Sequence, residues 1–162
     1  MNKVYLLIGG NLGDRLVNML NAISHIENRC GRILEKSSIY ETEAWGFTDQ
    51  PHFYNQALLL ETNLDAQNLM QQFIEIELAL GRKREIPLGP RSIDIDIIYF
   101  NEDVISLANL NIPHPRMAQR NFVLAPLNEI APQFIHPILK LSNAQLLIDS
   151  EDKSHVNKKN ND

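Results

Sequence analysis

Apolar residues along the chain follow two alternating rhythms. Val4 to Ile8 is a short continuous apolar run ended by Gly9 and Gly10, the mark of a buried strand. After it, Leu16, Met19, Leu20, Ile23 and Ile26 recur at helical spacing. Asp14 is placed to cap that helix and Gly31 to close it. "RILEKSSIYET" and "HFYNQALLLET" read as two strands joined by the turn-rich "EAWGFTDQP", and neighbours in sequence of this kind pair antiparallel. From Asp65 to Leu80 the helical period returns, with Leu69, Phe73, Ile76 and Leu80 on one stripe and Gly81 closing it. "RKREIPLGPR" is charged and broken by Pro87, Gly89 and Pro90, so it reads as a mobile loop. Then comes "SIDIDIIYF", a strand, followed by a turn at "NED" and a short strand "VIS".

The remainder is punctuated by proline, with short helical pieces near Arg116–Arg120 and Phe122–Ile130. From Asp149 the composition turns polar. Residues 1–148 are therefore expected to form one domain and 149–162 a disordered tail. The order β-α-β-β-α-β is that of an α+β, ferredoxin-like core with a C-terminal helical extension. Such a core has a mainly antiparallel sheet with helices on one face, leaving the other free to bind. On the last core strand this predicts Ser92, Asp94, Asp96 and Ile98 on the open face, and Ile93, Ile95, Ile97 and Tyr99 in the core.

Composition narrows the class. The chain has 162 residues, 44% of them hydrophobic, which suits one globular domain. The net charge of −5 argues against nucleic acid or anionic lipid as a partner of the whole surface. Cys30 is the only cysteine, so no internal disulfide can form and a reducing compartment fits. The opening apolar run is too short to span a membrane. The expectation is a cytoplasmic monomer.

Asp94 and Asp96 are the chemical anomaly. Two residues apart on a strand they lie about 6–7 Å from each other on one face. Like charges at that separation repel by roughly 2–3 kcal/mol at an effective dielectric of about 20. A solvated strand face could tolerate them. A magnesium ion with substrate phosphates would use them, because Mg²⁺ takes one or two carboxylates and completes its shell with phosphate oxygens and water. Arg82, Lys83, Arg84 and Arg91 stand just before the pair, with Arg116 and Arg120 further on. Cations beside metal-binding carboxylates suit a polyphosphate. The aromatics Phe53 and Phe122, with Asn55 sharing a face with Phe53, suit a flat heteroaromatic ligand with donors and acceptors on its edge. The opening "LIGGNLGDR" lacks the spacing of a phosphate-binding loop, and no histidine spacing suggests a zinc site.

"GPRSIDIDII" resembles the signature of the hydroxymethyldihydropterin pyrophosphokinases of folate biosynthesis, and family-like stretches recur in order: "IGGNLGDR", "SSIYET", "DQPHFYNQA", "IELALGR" and "IPHPRMAQRNFVLAPL". The resemblance implies transfer of pyrophosphate from ATP to 6-hydroxymethyl-7,8-dihydropterin, releasing AMP. It implies that Asp94 and Asp96 hold two Mg²⁺ ions and that Arg82 and Arg91 engage the phosphates. It also implies ATP contacts at Glu77, Ile97, His114 and Arg120. Phe53 and Phe122 match the pair that sandwiches the pterin, with Asn55, Thr42, Glu43 and Trp45 reading its edge. The sequence departs from many members at Leu88, where they carry tryptophan, at Pro115, and at Ile74 and Asn109. A magnesium-dependent nucleotidyltransferase is the competing reading; it would release pyrophosphate instead of AMP.

Overall fold

The computed structural model describes residues 1–43, 49–81 and 91–159. Trp45, Arg82 and the expected mobile loop up to Pro90 lie outside the described residues.

Strand β1 (Asn2–Gly10) leads into helix α1 (Arg15–Arg29), whose first turn is capped as the sequence predicts, Asp14 accepting the Val17 N–H at 3.1 Å. The second predicted strand is split into β2 (Gly31–Lys36) and β3 (Tyr40–Thr42), and both pair with β4 (Phe53–Thr62). Helix α2 (Ala66–Ala79) is capped by Asp65, which accepts the Asn68 N–H at 2.8 Å. It stops at Gly81, whose φ of +88° is a left-handed conformation that costs glycine little. Strand β5 (Asp94–Phe100) follows, then the hairpin of β6 (Ile105–Leu107) and β7 (Leu110–Ile112). A 3₁₀ turn (Met117–Gln119), α3 (Asn121–Ile130), α4 (Asn143–Asp149) and β8 (Val156–Lys158) complete the chain. The main sheet runs β5-β1-β4-β3-β8, with β2 also on β4, and every pairing is antiparallel. This is the expected α+β architecture with the βαββαβ order.

Three expectations are corrected. First, helices cover both faces of the sheet. Val4, Leu6, Ile8, Leu58, Leu60, Ile95 and Ile97 form one core with the apolar stripes of α1 and α2. Leu7, Ile98 and Tyr99 form a second core with Val123, Leu124 and Leu127 of α3 and Leu146 of α4. The apolar stripe of the C-terminal helices needed a surface to cover, and the open face supplied it. Tyr99 fastens that layer, its hydroxyl donating to Asn143 Oδ1 at 2.7 Å.

Second, Tyr99 lies on the face opposite to the one predicted. Tyr5 pairs with Tyr99 but Leu6 pairs with Ile97, so Ile98 is an extra residue in β5. A bulge of this kind breaks strict alternation, and Ile98 and Tyr99 both turn to the C-terminal layer.

Third, the polar tail is not without structure. Val156 pairs with Thr42 and Lys158 with Tyr40. Main-chain hydrogen bonds at a free sheet edge need no apolar side chains, so composition alone missed this strand.

Candidate active site

The strand register builds the floor of a cavity of about 430 Å³. Asn55 of β4 stands opposite Gly9 of β1, and Gly9 opposite Asp94 of β5. In the next row of that face, Ala57 stands opposite Leu7 and Leu7 opposite Asp96. Phe53 pairs with Thr42 of β3. Residues directly opposite or two apart share a face, so Phe53, Asn55, Leu7, Asp94 and Asp96 converge without help from any loop. Gly9 makes the floor flat. A Cβ there would collide with the Asn55 side-chain oxygen and the Tyr54 carbonyl.

The α3 layer stops short of this end, and its first turn forms a wall. Arg120 and Phe122 line the cavity there, and the Arg120 guanidinium lies 5.6 Å from the Phe122 ring centre. Across the floor Arg91 takes a similar position, 4.9 Å from the ring centre of Phe53. β5 is the edge strand, so the cavity also reaches past it to Met70, Phe73, Ile74 and Glu77 on α2, and to Asn109 and His114.

The structure thus brings together Thr42, Glu43, Phe53, Asn55, Glu77, Arg91, Asp94, Asp96, His114, Arg120 and Phe122 from the expected set. Ile97 is the exception. Its side chain belongs to the core beneath the sheet, because it alternates with Asp96.

Electrostatics divides the cavity into two ends. Arg91 Nη1 lies 3.8 Å from Asp94 Oδ2, so part of the carboxylate repulsion is offset by the chain itself. Asp94 and Asp96 both act on Arg120, whose proton affinity is lowered first by burial and then by Arg116. Arg91 Nε is buried with no hydrogen-bond partner among the described residues. A buried donor without a partner is costly, and an anionic oxygen would satisfy it. The His114 pKa is pushed below the ordinary value, by burial first and the Arg120 charge second, against a smaller opposing pull from Asp94. Its Nδ1 accepts the Arg116 N–H at 3.3 Å, which leaves the ring proton of the neutral form on Nε2 as a donor. The other end is aromatic and amide. Asn55, only 6% exposed, donates from Nδ2 to the Thr42 hydroxyl at 3.3 Å, which orients its carboxamide.

Two supporting roles are not read from the sequence, which points to Glu77 only as an ATP contact and gives Asn11 no role. Glu77, 3% exposed, accepts the Ile95 N–H at 2.8 Å and so holds β5 between its two aspartates. Asn11 accepts the Arg91 N–H at 3.0 Å, while its own N–H donates to the Arg91 carbonyl at 2.9 Å. Its Nδ2 donates to Gln50 Oε1 and to the Pro51 carbonyl. The "GGNLGD" turn is therefore a brace for Arg91 and the entry to β4. A polar residue directly after a buried strand was its only signal.

Two carboxylates, with no group of three or more His, Cys, Asp or Glu side chains suited to a metal among the described residues, do not make a closed protein cage. The pair instead matches a hard cation that shares its shell with a ligand's oxygens. Cys30 is buried and its thiol pushed up to about 11, which removes it as a nucleophile.

The model of the 7,8-dihydro-6-hydroxymethylpterin-pyrophosphokinase (HPPK) family matches residues 5–132. The chain belongs to this family. Among its relatives, the 2-amino-4-hydroxy-6-hydroxymethyldihydropteridine pyrophosphokinase of Aquifex aeolicus is 41% identical over 140 residues, 86% of this chain and 87% of the relative. That of Bacillus subtilis is 42% identical over 133 residues, 82% of this chain and 80% of its own. The folic acid synthesis protein of Dictyostelium discoideum is 42% identical over 148 residues, and this chain spans only 22% of that longer protein. A crystal structure of the Plasmodium falciparum HPPK-DHPS with pteroate superposes with a TM-score of 0.76 at 18% identity, over 91% of this chain and 42% of that one. The likeness in backbone shows that the HPPK fold is shared. The matched span of the family model contains every cavity residue named above.

Proposed function

We propose that this HPPK-family chain transfers the β,γ-pyrophosphoryl group of ATP to the hydroxymethyl oxygen of 6-hydroxymethyl-7,8-dihydropterin. The observation that carries the proposal is the two-ended cavity, with carboxylates and cations at one end and two rings and a held amide at the other. In the transfer, the pterin hydroxyl oxygen attacks the β-phosphorus. The bond from that phosphorus to the α,β-bridging oxygen breaks, AMP leaves with the bridging oxygen, and the hydroxyl proton passes to solvent.

Asp94 and Asp96 would hold magnesium, two ions in this proposal. Bound metal would supply charge neutralisation of the polyphosphate. Arg91 and Arg120 supply fixed positive charge where negative charge builds up during transfer, and Arg82 belongs with them. The Arg91 Nε, which has no partner among the described residues, is available to a phosphate oxygen. His114 donates from Nε2 without adding a charge. Phe53 and Phe122 enclose the pterin ring, Asn55 reads its edge, and Thr42 and Glu43 close that side. Held in this way, the hydroxyl and the β-phosphorus meet at an effective concentration that solution cannot match.

The test is direct. The chain is incubated with ATP, Mg²⁺ and the pterin, and nucleotide products are separated. AMP with a diphosphorylated pterin supports the reading. Pyrophosphate release with a nucleotidylated product would replace it with attack at the α-phosphorus.

A further inference from the structure

The first turn of α3 carries Arg120 and Phe122, yet nothing local caps it. The capping position is Arg120 itself, and no side chain there makes a cap hydrogen bond. Arginine has no acceptor to offer. The acceptor comes from 31 residues downstream. Asp152 Oδ2 accepts the Asn121 N–H at 2.8 Å, and the Asp152 carbonyl accepts from Asn121 Nδ2 at 2.9 Å. A carboxylate at this point also faces the positive end of the helix dipole. Asp152 is itself held. Its Oδ1 accepts the Ser154 N–H at 2.9 Å, and its N–H donates to the Ser150 hydroxyl at 3.2 Å.

The same segment then joins the sheet. Val156 pairs with Thr42, and the Lys159 N–H donates to the Ile39 carbonyl at 2.7 Å. At the far end of α3, Glu129 accepts the Ser38 N–H at 2.7 Å and the Tyr40 hydroxyl at 2.8 Å, with Lys158 Nζ at 3.7 Å. One polar segment therefore bonds to both walls of the aromatic end, the α3 turn with Phe122 and the β3 edge with Thr42. Its position is outside residues 5–132, so the shared family pattern does not account for it.

We propose that residues 150–159 form a strap that sets the aromatic end of the cavity, with Asp152 as a positioning residue acting through Asn121 on Phe122. The proposal rests on the pyrophosphokinase reading above for which substrate is affected. Loss of the strap lets the Phe122 wall move relative to the Phe53 floor, while Asp94, Asp96 and Arg91 keep their own supports on β5 and Asn11.

The experiment uses Asp152→Ala and Asp152→Asn in the full chain, with KM for the pterin and for ATP measured separately by AMP release. Asp152→Ala is expected to raise the pterin KM about fivefold, the effect of losing one helix cap. The ATP KM should rise less than the pterin KM, because Arg120 on that turn is one of several proposed phosphate contacts and Asp94, Asp96 and Arg91 keep their own supports. Asp152→Asn keeps a neutral acceptor and should recover part of the loss. If the alanine variant does not fold, the asparagine variant carries the same comparison. Hydrogen exchange of the amides from Asn121 to Leu124 gives a readout independent of activity, and should speed up in either variant. Unchanged exchange, an unchanged pterin KM, or a parallel rise in both KM values overturns the strap. A wild-type chain that releases no AMP overturns the functional reading instead, and the exchange measurement still decides whether Asp152 holds the turn.

Discussion

Exchanging Asp94 or Asp96 for asparagine removes one charge and almost no volume, so it separates electrostatics from packing. In the empty protein each variant loses a repulsion of roughly 2–3 kcal/mol, the figure for same-face carboxylates about 6–7 Å apart at an effective dielectric of about 20. Each also loses attraction to nearby arginines. For Asp94, Arg91 at 3.8 Å corresponds to a gross attraction of about 4 kcal/mol at the same dielectric. The Asp94 side chain is 26% exposed, so solvent reduces that figure to the range of about 0–1 kcal/mol measured for accessible pairs. The same solvent screens the carboxylate repulsion, so that gain shrinks to a similar size and the two nearly offset. Both variants should therefore fold, with melting temperatures within about 4 °C of wild type.

Activity should behave oppositely. Under the proposed metal-holding role, losing a carboxylate weakens the grip on the polyphosphate, and turnover should fall at least about a hundredfold, equivalent to roughly 2.7 kcal/mol of barrier. The assay is AMP release at saturating ATP, pterin and Mg²⁺, beside thermal scans with and without Mg-ATP. Wild type should be stabilised by the nucleotide, because a ligand that binds only the folded state raises its melting temperature. Asp94→Asn and Asp96→Asn should lose most of that rise. A variant that retains more than about a tenth of wild-type turnover, about 1.4 kcal/mol, would refute the metal-holding role. A large fall in stability without ligand would refute the electrostatic balance drawn here.

The other predictions probe the remaining parts of the site. Phe53→Ala and Phe122→Ala should weaken pterin binding more than ATP binding, as calorimetry with each ligand separately will show; equal losses would point to core damage. Arg91→Ala should lower kcat more than ATP affinity, since its charge matters most during transfer, and single-turnover kinetics beside direct ATP titration makes the comparison. Glu77→Ala strands the buried Ile95 N–H and should cost about 1–3 kcal/mol in urea unfolding, whereas Glu77→Gln keeps an acceptor and should recover most of it. His114 and His136 both have folded pKa values pushed below the unfolded one by burial. Between the two values the unfolded chain binds more protons, so their contribution to stability is complete above about pH 6.5 and is lost as pH falls toward the lowered folded values. Urea midpoints measured from pH 8 to pH 5 should therefore decline with acid, less steeply in His114→Gln; an identical slope in that variant would remove His114 from the account.

Legibility in the sequence followed the range of the forces involved. The caps Asp14 and Asp65 and the helical stripes were readable because cap and period act within a few residues. The pairing of Asp94 with Asp96 on one face was readable because alternation is a local rule. That Asn55, Gly9 and Asp94 would stand in one row was not, since row position depends on register across three strands. The bulge at Ile98 was hidden because Ile97, Ile98 and Tyr99 are all apolar, so sliding the alternation by one residue left no polar side chain in a core to reveal it. The strand Val156–Lys158 was hidden for the opposite reason: its stability comes from main-chain bonds to an edge that only the folded sheet presents.

The bulge also explains how one strand serves two purposes. Without it, β5 would send Asp94, Asp96 and Ile98 to one face and Ile97 and Tyr99 to the other. Tyr99 would then enter the core under α1 and α2, already filled by Phe73, Ile76 and Ile97. With it, the first half of β5 presents carboxylates to the cavity, while the second half turns both Ile98 and Tyr99 toward α3 and α4. Those two residues seat the C-terminal layer whose leading turn carries Arg120 and Phe122. The carboxylate end and the aromatic wall are thus fixed to the same strand on either side of one extra residue. Their separation is set by a rigid element, as the proposed transfer between two enclosed substrates requires.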